Sequence, residues 1–573
     1  MLQHLNQFLP QNKPHRHRPK TKNRPTTKTT IFSFAFVIVS FSLNLFTAPT
    51  SAQTSQDVEL QVGVIQRFGE KSNDKLTLKA TPGDRLSLRF SAANGELQTV
   101  EATSVKLEAL PQTLPTPALD EKLILGSYRS FESAENTASE LRAKGIEVEI
   151  AQPKRWQVWA KRDVYSTPLL RRMLLESLQA KGNANAYLES KIVQQLPAVS
   201  AVVGKQRYSL GITEITTATG IIEVKQGEEK PNQSEDNRKS VIYPGSLRLQ
   251  PNAYGTYTLV NQVPLETYLR GVVPHEIGGE APYASIEAQA ILARTYALRN
   301  LRRFAVDNYQ MCANTHCQVY KGLTGTWGEA DRAIAATRGQ VLTYDQELVD
   351  ALYYSTSGGV TASFNDIWKG PGRSYLAPVI DSLLNVWDLK NQSLSAEANF
   401  RRFMNLKKGF NEDEQELFRW REESNLQKLN KDFKEYLQEK ANSLANFQTI
   451  LNMEVTERSS SGRVLKMRVQ TNAGTIEIEK DEVMKAFYAP WSTLFYVEPV
   501  YQDDKKTLKG FAFVGGGFGH GVGMSQTGSY KLAQQGWSSE RILSFYYPGT
   551  QLKPLSEELT FWRDPWEKVT PEN

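Results

Sequence analysis

Hydrophobic and polar positions change period several times along the 573-residue chain, and each change marks a different kind of element. Between residues 58 and 110 the period is two. Val58, Leu60, Val62 and Val64 alternate with other residues, and Leu76-Leu78 and Leu86-Leu88-Phe90 repeat the step. That alternation predicts half-buried strands, with a turn at Pro82-Gly83-Asp84, and hence a small β module over 58–110. Pro111, Pro115 and Pro117 read as a linker after it.

From 121 to 193 the periods alternate. Leu123-Ile124-Leu125 reads as a strand, and Phe131, Ala134, Ala138 and Leu141 recur at helical spacing up to Gly145. Val148 and Ile150, then Trp156, Val158 and Ala160, read as two more strands. Leu169, Met173, Leu174 and Leu178 mark a second helix ended by Gly182, and Ala186-Tyr187-Leu188 a last strand. The order strand–helix–strand–strand–helix–strand predicts a ferredoxin-like unit.

Residues 226–240 are polar and aperiodic, so they read as a surface loop. Strands are expected at 246–249 and 257–260. Pro264 opens a short helix through Leu269, stopped by Gly271. Val272-Val273-Pro274 then reads as extended, with His275-Glu276 in the loop before Gly278-Gly279. Ala284 to Phe304 is the clearest helix, since Ile286, Ala290, Ala293, Ala297, Leu301 and Phe304 step by three or four. Residues 339–344 and 351–355 read as a pair of strands. Residues 396–448, crowded with charges of both signs, read as a solvated helical insertion. Strands resume at 453–457, 464–471 and 474–479. A glycine-rich segment at 514–523 leads into a helix from about Met524, and a final helix covers 537–547.

Composition adds one correction to this picture. The formal net charge is +6, from 68 Lys and Arg against 62 Asp and Glu. Seven of those basic residues and none of the acidic ones fall within 1–52, so the remainder is close to neutral. The basicity belongs to the leader and gives no support for nucleic-acid binding. That leader couples a basic region to an apolar run, Ile31 to Phe46, and small residues Thr50-Ser51-Ala52. Residues 1–52 are therefore expected to be a signal peptide cleaved after Ala52, with an uncleaved N-terminal anchor as the alternative. Either reading places the protein outside the cytoplasm.

Candidate chemistry is concentrated. Beyond residue 52 the chain has three histidines, His275, His316 and His520, and its two cysteines are Cys312 and Cys317. Glu276 sits among apolar residues, where poor solvation raises a carboxyl pKa toward that of a general acid. Arg294 reads either as a surface charge or as the partner of a carboxylate or substrate, and Tyr296 is a second candidate contact. The hydroxyl-rich loop 355–361 offers Ser355, Ser357 and Thr361 to a sugar, or else forms a tight turn. Six glycines around His520 let backbone approach a ligand. Ser525 and Gln526 follow as further candidate contacts. Cys312, His316 and Cys317 have the spacing of a zinc loop lacking a local fourth ligand, which His275, Asp307 or His520 would supply. A Cys312–Cys317 disulfide and free thiols are the alternatives.

Two resemblances follow from these residues. LILGSYRSFESAENTASELRAKGIEVEI, the tryptophan strand after it and AKGNANAYL resemble the sporulation-related repeat (SPOR) family, which implies binding to glycan strands stripped of stem peptides. VPLETYLRGVVPHEI, AQAILARTYAL, HCQVYKGL, YYSTSGGVT, SGRV and GFGHGVGMSQTGSYKLAQQG resemble, in that order, the stage II sporulation protein D / amidase-enhancer family over about 200–555. That resemblance implies a lytic transglycosylase acting on peptidoglycan glycan strands, with Glu276 as the acid and a zinc-type loop at Cys312, His316 and Cys317. The alternative is a non-catalytic enhancer that partners a cell-wall amidase, as some members of the family are named. The family's histidine upstream of the first cysteine has no counterpart in 303–311, and Ile277-Gly278 and Thr527 replace Met-Pro and Trp. The expected fold is thus α+β and multidomain: a small β module, a ferredoxin-like SPOR-type domain at 121–193, and a mixed α/β catalytic domain with a helical insertion.

Overall fold

The computed structural model describes residues 57–91, 95–182, 185–227 and 240–564. The leader expected at 1–52 lies outside them, as does most of the polar loop at 226–240. None of the described helices is long and apolar enough to cross a membrane. The chain combines helices with many strands in a mixed α+β, multidomain fold.

The first fifteen strands are β1 (Glu59–Phe68), β2 (Asp74–Ala80), β3 (Leu86–Ser91), β4 (Leu97–Ala102), β5 (Ser104–Tyr128), β6 (Val148–Ala151), β7 (Trp156–Ala160), β8 (Tyr187–Val203), β9 (Gln206–Leu210), β10 (Thr213–Thr216), β11 (Ile221–Gln226), β12 (Ser240–Pro244), β13 (Ser246–Pro251), β14 (Tyr257–Pro264) and β15 (Met311–Cys312). They form two sheets. One has the order β15-β1-β14-β13-β10-β3-β4, and the other β12-β11-β2-β5-β7-β6 with β8 alongside β5. Leu60, Val62, Leu76, Leu78, Leu86 and Leu88 of β1, β2 and β3 are buried in one core, while Val64 is half-buried. The β module is therefore not closed at residue 110, because β10, β11, β13 and β14 supply its remaining strands.

The prolines at 111, 115 and 117 are not a linker. They lie within β5, which pairs with β8 from Lys106↔Val202 to Ile124↔Tyr187, with a register shift between Thr113 and Ala118. Proline has no N–H for a ladder, and this stretch tolerates it because the ribbon has an open edge and an irregular register there. The ribbon carries the unit at 121–193. Its strands run β8-β5-β7-β6, all antiparallel, with helices α1 (Phe131–Ala143) and α2 (Pro168–Ala180). Helix α1 buries the expected Phe131, Ala134, Ala138 and Leu141. Helix α2 does not bury its expected face: Leu169 is 67% and Met173 57% exposed, and Leu178 is its one buried residue. Ion pairs dock the unit on the rest of the chain, with Arg302 on Glu135, Arg303 on Glu132 and Arg155 on Glu482.

Two further helices frame the site. Helix α3 spans Leu265–Ile277 and α4 spans Tyr283–Arg299. Helix α4 is buried around almost its whole circumference, and its small alanines let neighbours approach closely. The two strands expected at 339–344 and 351–355 do not pair with each other. Gln340–Tyr344 pairs with Gln551–Pro554, whereas Tyr353–Tyr354 lies parallel to Met524–Ser525. That second pairing brings the glycine-rich segment beside Tyr353.

The region at 396–448 is not a solvated helical insertion. Strand Trp420–Asn425 and helix Leu426–Glu439 pack with later strands around a second core that includes Trp420, Phe433, Val464, Phe487 and Phe513. Leu429, Phe433, Tyr436 and Leu437 form the buried stripe of that helix, between charges that mask it in the sequence.

Candidate active site

Helix α3 does not stop at Gly271. It continues through Val272-Val273-Pro274 and ends at Ile277, with Gly278 at φ 81° closing it. Gly271 is needed inside the helix for a steric reason: a Cβ there would sit 2.2 Å from the Gly322 carbonyl oxygen and 2.6 Å from the Tyr320 ring. Glu276 thus occupies the last turn of a helix and not a loop. The negative end of the helix dipole lies there, a second reason for a carboxylate to be disfavoured.

The Glu276 Oε1 accepts the Val319 N–H at 2.6 Å, and the Tyr353 hydroxyl also bonds its carboxyl group. Burial pushes its pKa up to about 7, against the lowering effect of those two donors. Tyr268 and Tyr296 face it as well. The Tyr353 hydroxyl donates at 3.0 Å to Gln318 Oε1, whose amide is oriented by Tyr268 and the Ala293 carbonyl at 3.3 Å each. One phenolic hydrogen therefore has two acceptors. Glu276 and Gln318 compete for it.

His520 lies between Tyr354, which it meets edge-on, and the tilted ring of Trp368, with ring centroids at 5.3 and 5.2 Å. Its Nδ1 accepts the Val522 N–H at 3.1 Å, and the ring bonds the Tyr353 carbonyl. Burial pushes its pKa down to about 3. With its ring engaged by the Val522 N–H and the Tyr353 carbonyl, it braces the strand that carries Tyr353. Gln526 reaches the site from the other side. Its Nε2 donates to the Glu276 carbonyl at 2.9 Å and to Gln289 Oε1 at 3.2 Å, and Tyr530 donates to the Ile277 carbonyl.

Several expected sugar contacts are instead occupied within the protein. Arg294 is fully buried and forked onto Glu266, with Nε–Oε1 at 2.7 Å and Nη2–Oε2 at 2.8 Å. Ser357 is fully buried and directs its N–H and hydroxyl to Glu412. Thr361 Oγ1 accepts the Val379 N–H at 2.9 Å. Ser525 is buried, donates to Glu412 and caps the helix Gln526–Gln534. Ser355 remains half-buried, its hydroxyl 3.2 Å from that of Thr356.

Cys312 and Cys317 are joined as a disulfide. The zinc expected at Cys312, His316 and Cys317 has no thiolate to bind in this state, since both sulfurs are tied to each other. The proposed fourth ligands are also engaged elsewhere. His275 Nε2 is 2.7 Å from the Thr324 carbonyl, Asp307 accepts the Ala253 N–H, and His520 is braced as above. His316 lies edge-on to Trp156 at 6.4 Å. Among the described residues, no group of three or more His, Cys, Asp or Glu is arranged to hold a metal ion. What the bridge does is close the loop directly before Gln318 and Val319, the two residues that address Glu276 and Tyr353.

Gln318, Val319 and Tyr353 were not singled out from the sequence, although each lies in a quoted motif. Asp381 and Glu412 carry no local signal at all.

The site lies in a stretch that is similar to a known family, within a chain of mixed α+β architecture. Residues 253–344 match the family model described as Stage II sporulation protein. Residues 362–523 match a Domain of unknown function (DUF8618). An uncharacterized protein of Brachyspira hyodysenteriae is 26% identical over 385 residues, covering 66% of this chain and 89% of its own length. Stage II sporulation protein D of Bacillus subtilis is 26% identical over 331 residues, 54% of this chain and 80% of its own. The amidase enhancer of Bacillus subtilis is 26% identical over 300 residues, 50% of this chain and 40% of its own, so less than half of that relative is represented. The resemblance to the stage II sporulation protein D / amidase-enhancer family is borne out by these matches. Glu276, Gln318 and Val319 lie in the first matched segment, and Asp381, Glu412 and His520 in the second.

Proposed function

We propose that this protein is a lytic transglycosylase that cleaves the MurNAc–GlcNAc bonds of peptidoglycan glycan strands and leaves 1,6-anhydro-MurNAc ends. The observation that carries this reading is Glu276, a half-buried carboxyl group whose pKa desolvation raises to about 7 against the lowering effect of two neutral donors. Near neutrality such a group is present in both forms, as a residue that gives and then takes a proton must be. Protonated Glu276 donates to the glycosidic oxygen as an oxocarbenium-like sugar develops. The carboxylate then takes the proton of the C6 hydroxyl, which closes onto C1. Water is not the nucleophile, so the second carboxylate of a hydrolase is not required.

The unit at 121–193 supports the same substrate class through its likeness to SPOR modules, which implies a binder of denuded glycan. An extracytoplasmic location is consistent with the Cys312–Cys317 bridge, since disulfides persist in oxidising compartments. The test is incubation of purified protein with denuded glycan, with anhydro-MurNAc ends as the expected product. Glu276→Gln is expected to abolish that product while retaining fold and glycan binding. The second reading is a non-catalytic partner of an N-acetylmuramoyl-L-alanine amidase, favoured by the name of the amidase-enhancer relative. It is the one left if wild-type protein yields no anhydro ends yet stimulates such an amidase.

A further inference from the structure

Asp381 and Glu412 are both buried, at 0% and 1% exposure, and they meet at one hydroxyl group. Ser357 Oγ lies 3.0 Å from Asp381 Oδ2 and 2.7 Å from Glu412 Oε2, and it accepts the Gly359 N–H at 2.9 Å. A serine hydroxyl has one hydrogen. It can satisfy one carboxylate, and the other oxygen would then face a lone pair with no water to relieve it.

The remaining partners decide which carboxyl group holds the missing proton. Glu412 receives the Ser357 N–H at 2.7 Å, the Gly358 N–H at 3.0 Å, and the hydroxyl groups of Ser525 and Thr527. Its acceptor sites are filled by donors, as an ionised carboxylate requires. Asp381 receives the Asn411 amide at 2.8 Å and the Tyr546 hydroxyl at 3.0 Å, both on Oδ1. Its Oδ2 faces only Ser357 Oγ among the described hydrogen-bond partners.

We infer that Asp381 is kept as the neutral acid, its Oδ2–H donating to Ser357 Oγ, which donates onward to Glu412, and that this shared proton clamps the loop following Tyr353 to the segment bearing Glu412. The hydrogen count then closes at Asp381 Oδ2, Ser357 Oγ and Glu412 Oε2. The other ionisable groups facing the pair do not replace this proton. Tyr354 and Tyr546 are neutral phenols pushed further up by burial. Arg419 donates to the main-chain carbonyls of Met404, Gly358 and Phe418, and Arg463 to those of Ser357 and Val360. Burial and the Glu412 charge both push the Asp381 carboxyl up, in the same sense as the hydrogen count.

Because the folded state holds this proton more tightly than the unfolded chain, Asp381 favours folding most at acid pH. That contribution falls as pH rises from the ordinary aspartate range toward the folded value. The clamp adjoins the proposed site, since Ser357 lies four residues beyond Tyr353. Its readouts need no glycan cleavage, so the two readings fail separately.

The experiment is denaturant unfolding of full-length protein between pH 5 and 9 for wild type, Asp381→Asn and Glu412→Gln. Asparagine keeps a donor toward Ser357, so Asp381→Asn should remain folded. Its folding equilibrium constant should change about tenfold less per pH unit than that of wild type. Glutamine at 412 turns a donor toward other donors, so Glu412→Gln should be destabilised at every pH. Equal pH slopes in wild type and Asp381→Asn, or greater damage from Asp381→Asn than from Glu412→Gln, would overturn the inference. If Asp381→Asn does not fold, infrared spectroscopy of wild type at pH 9 decides. A buried un-ionised carboxyl band supports the inference, and its absence refutes it.

Discussion

Val319 holds Glu276: its N–H lies 2.6 Å from the Glu276 Oε1, and it stands two residues beyond the cysteine that closes the Cys312–Cys317 loop. A single backbone donor thus links a covalent bridge to the proton chemistry of one carboxyl group. Glu276 carries the last turn of α3, Tyr353 comes from a two-residue strand, and Gln526 ties the other side of that turn. Burial raises the Glu276 pKa, Val319 and Tyr353 lower it, and Gln526 fixes the turn that carries it.

Replacing Glu276 with Gln separates chemistry from stability. Activity should fall by roughly 10²–10⁴-fold, the range for a lost general acid. The folded-state pKa of about 7 lies above the ordinary 4.5, so ionising Glu276 opposes folding as pH rises through that window. Glu276→Gln should consequently be more stable than wild type at pH 8, by on the order of 3 kcal/mol, and no more stable near pH 4. Urea unfolding at the two pH values checks the sign.

Tyr353→Phe removes one of the two donors that hold the Glu276 pKa down. The acid should stay protonated to higher pH, so the alkaline limb of the rate profile moves upward while the maximal rate falls. The Gln318 Oε1 loses its partner, at a cost of about 1–2 kcal/mol in stability. A pH–rate profile of the variant is the measurement, and an unmoved alkaline limb would contradict the geometry.

Opening the disulfide should loosen Val319 without unfolding the chain. The bridge spans five residues, and a loop that short contributes about 2 kcal/mol by the chain-entropy account. Cys312→Ser with Cys317→Ser should therefore fold, with reduced activity and an alkaline limb shifted in the same direction as in Tyr353→Phe. Thiol titration of untreated wild type should find no free thiols, and metal analysis after chelator-free purification should find no stoichiometric zinc.

Arg294 tests the distinction between substrate contact and internal brace. Arg294→Met leaves Glu266 buried without its forked partner and should cost about 3–5 kcal/mol. Affinity of the folded fraction for glycan should be unchanged. A selective loss of glycan binding at normal stability would restore the substrate reading.

The local periodicities were legible wherever one face of an element is buried and the other is not. The leucine alternation of β1 to β3 and the four-residue steps of α1 and α4 identify those elements before any fold is known. They failed where burial depends on distant partners. Pro111, Pro115 and Pro117 look like a linker until β8 pairs with them. Leu169 and Met173 look like a core stripe, yet nothing packs over them among the described residues. The charges of Lys428, Lys431, Lys434 and Glu435 hide a stripe at Leu429, Phe433 and Tyr436, because hydropathy read along the chain averages the faces that a helix separates.

For the site, the sequence by itself determined the chemistry on offer: one glutamate beside glycines, two nearby cysteines, a hydroxyl loop and a histidine among glycines. It also determined that Glu276 would be poorly solvated. Only the tertiary structure decided which of those groups are free. Ser357, Thr361, Ser525 and Arg294 read as polar residues available to a ligand, and all four are used by Glu412, Val379 and Glu266 instead. The reason is that a buried polar group must find a partner inside the protein, and the partner is chosen by proximity in space. Glu412 stands 55 residues from Ser357 and 113 from Ser525, and no pattern along the chain encodes that meeting.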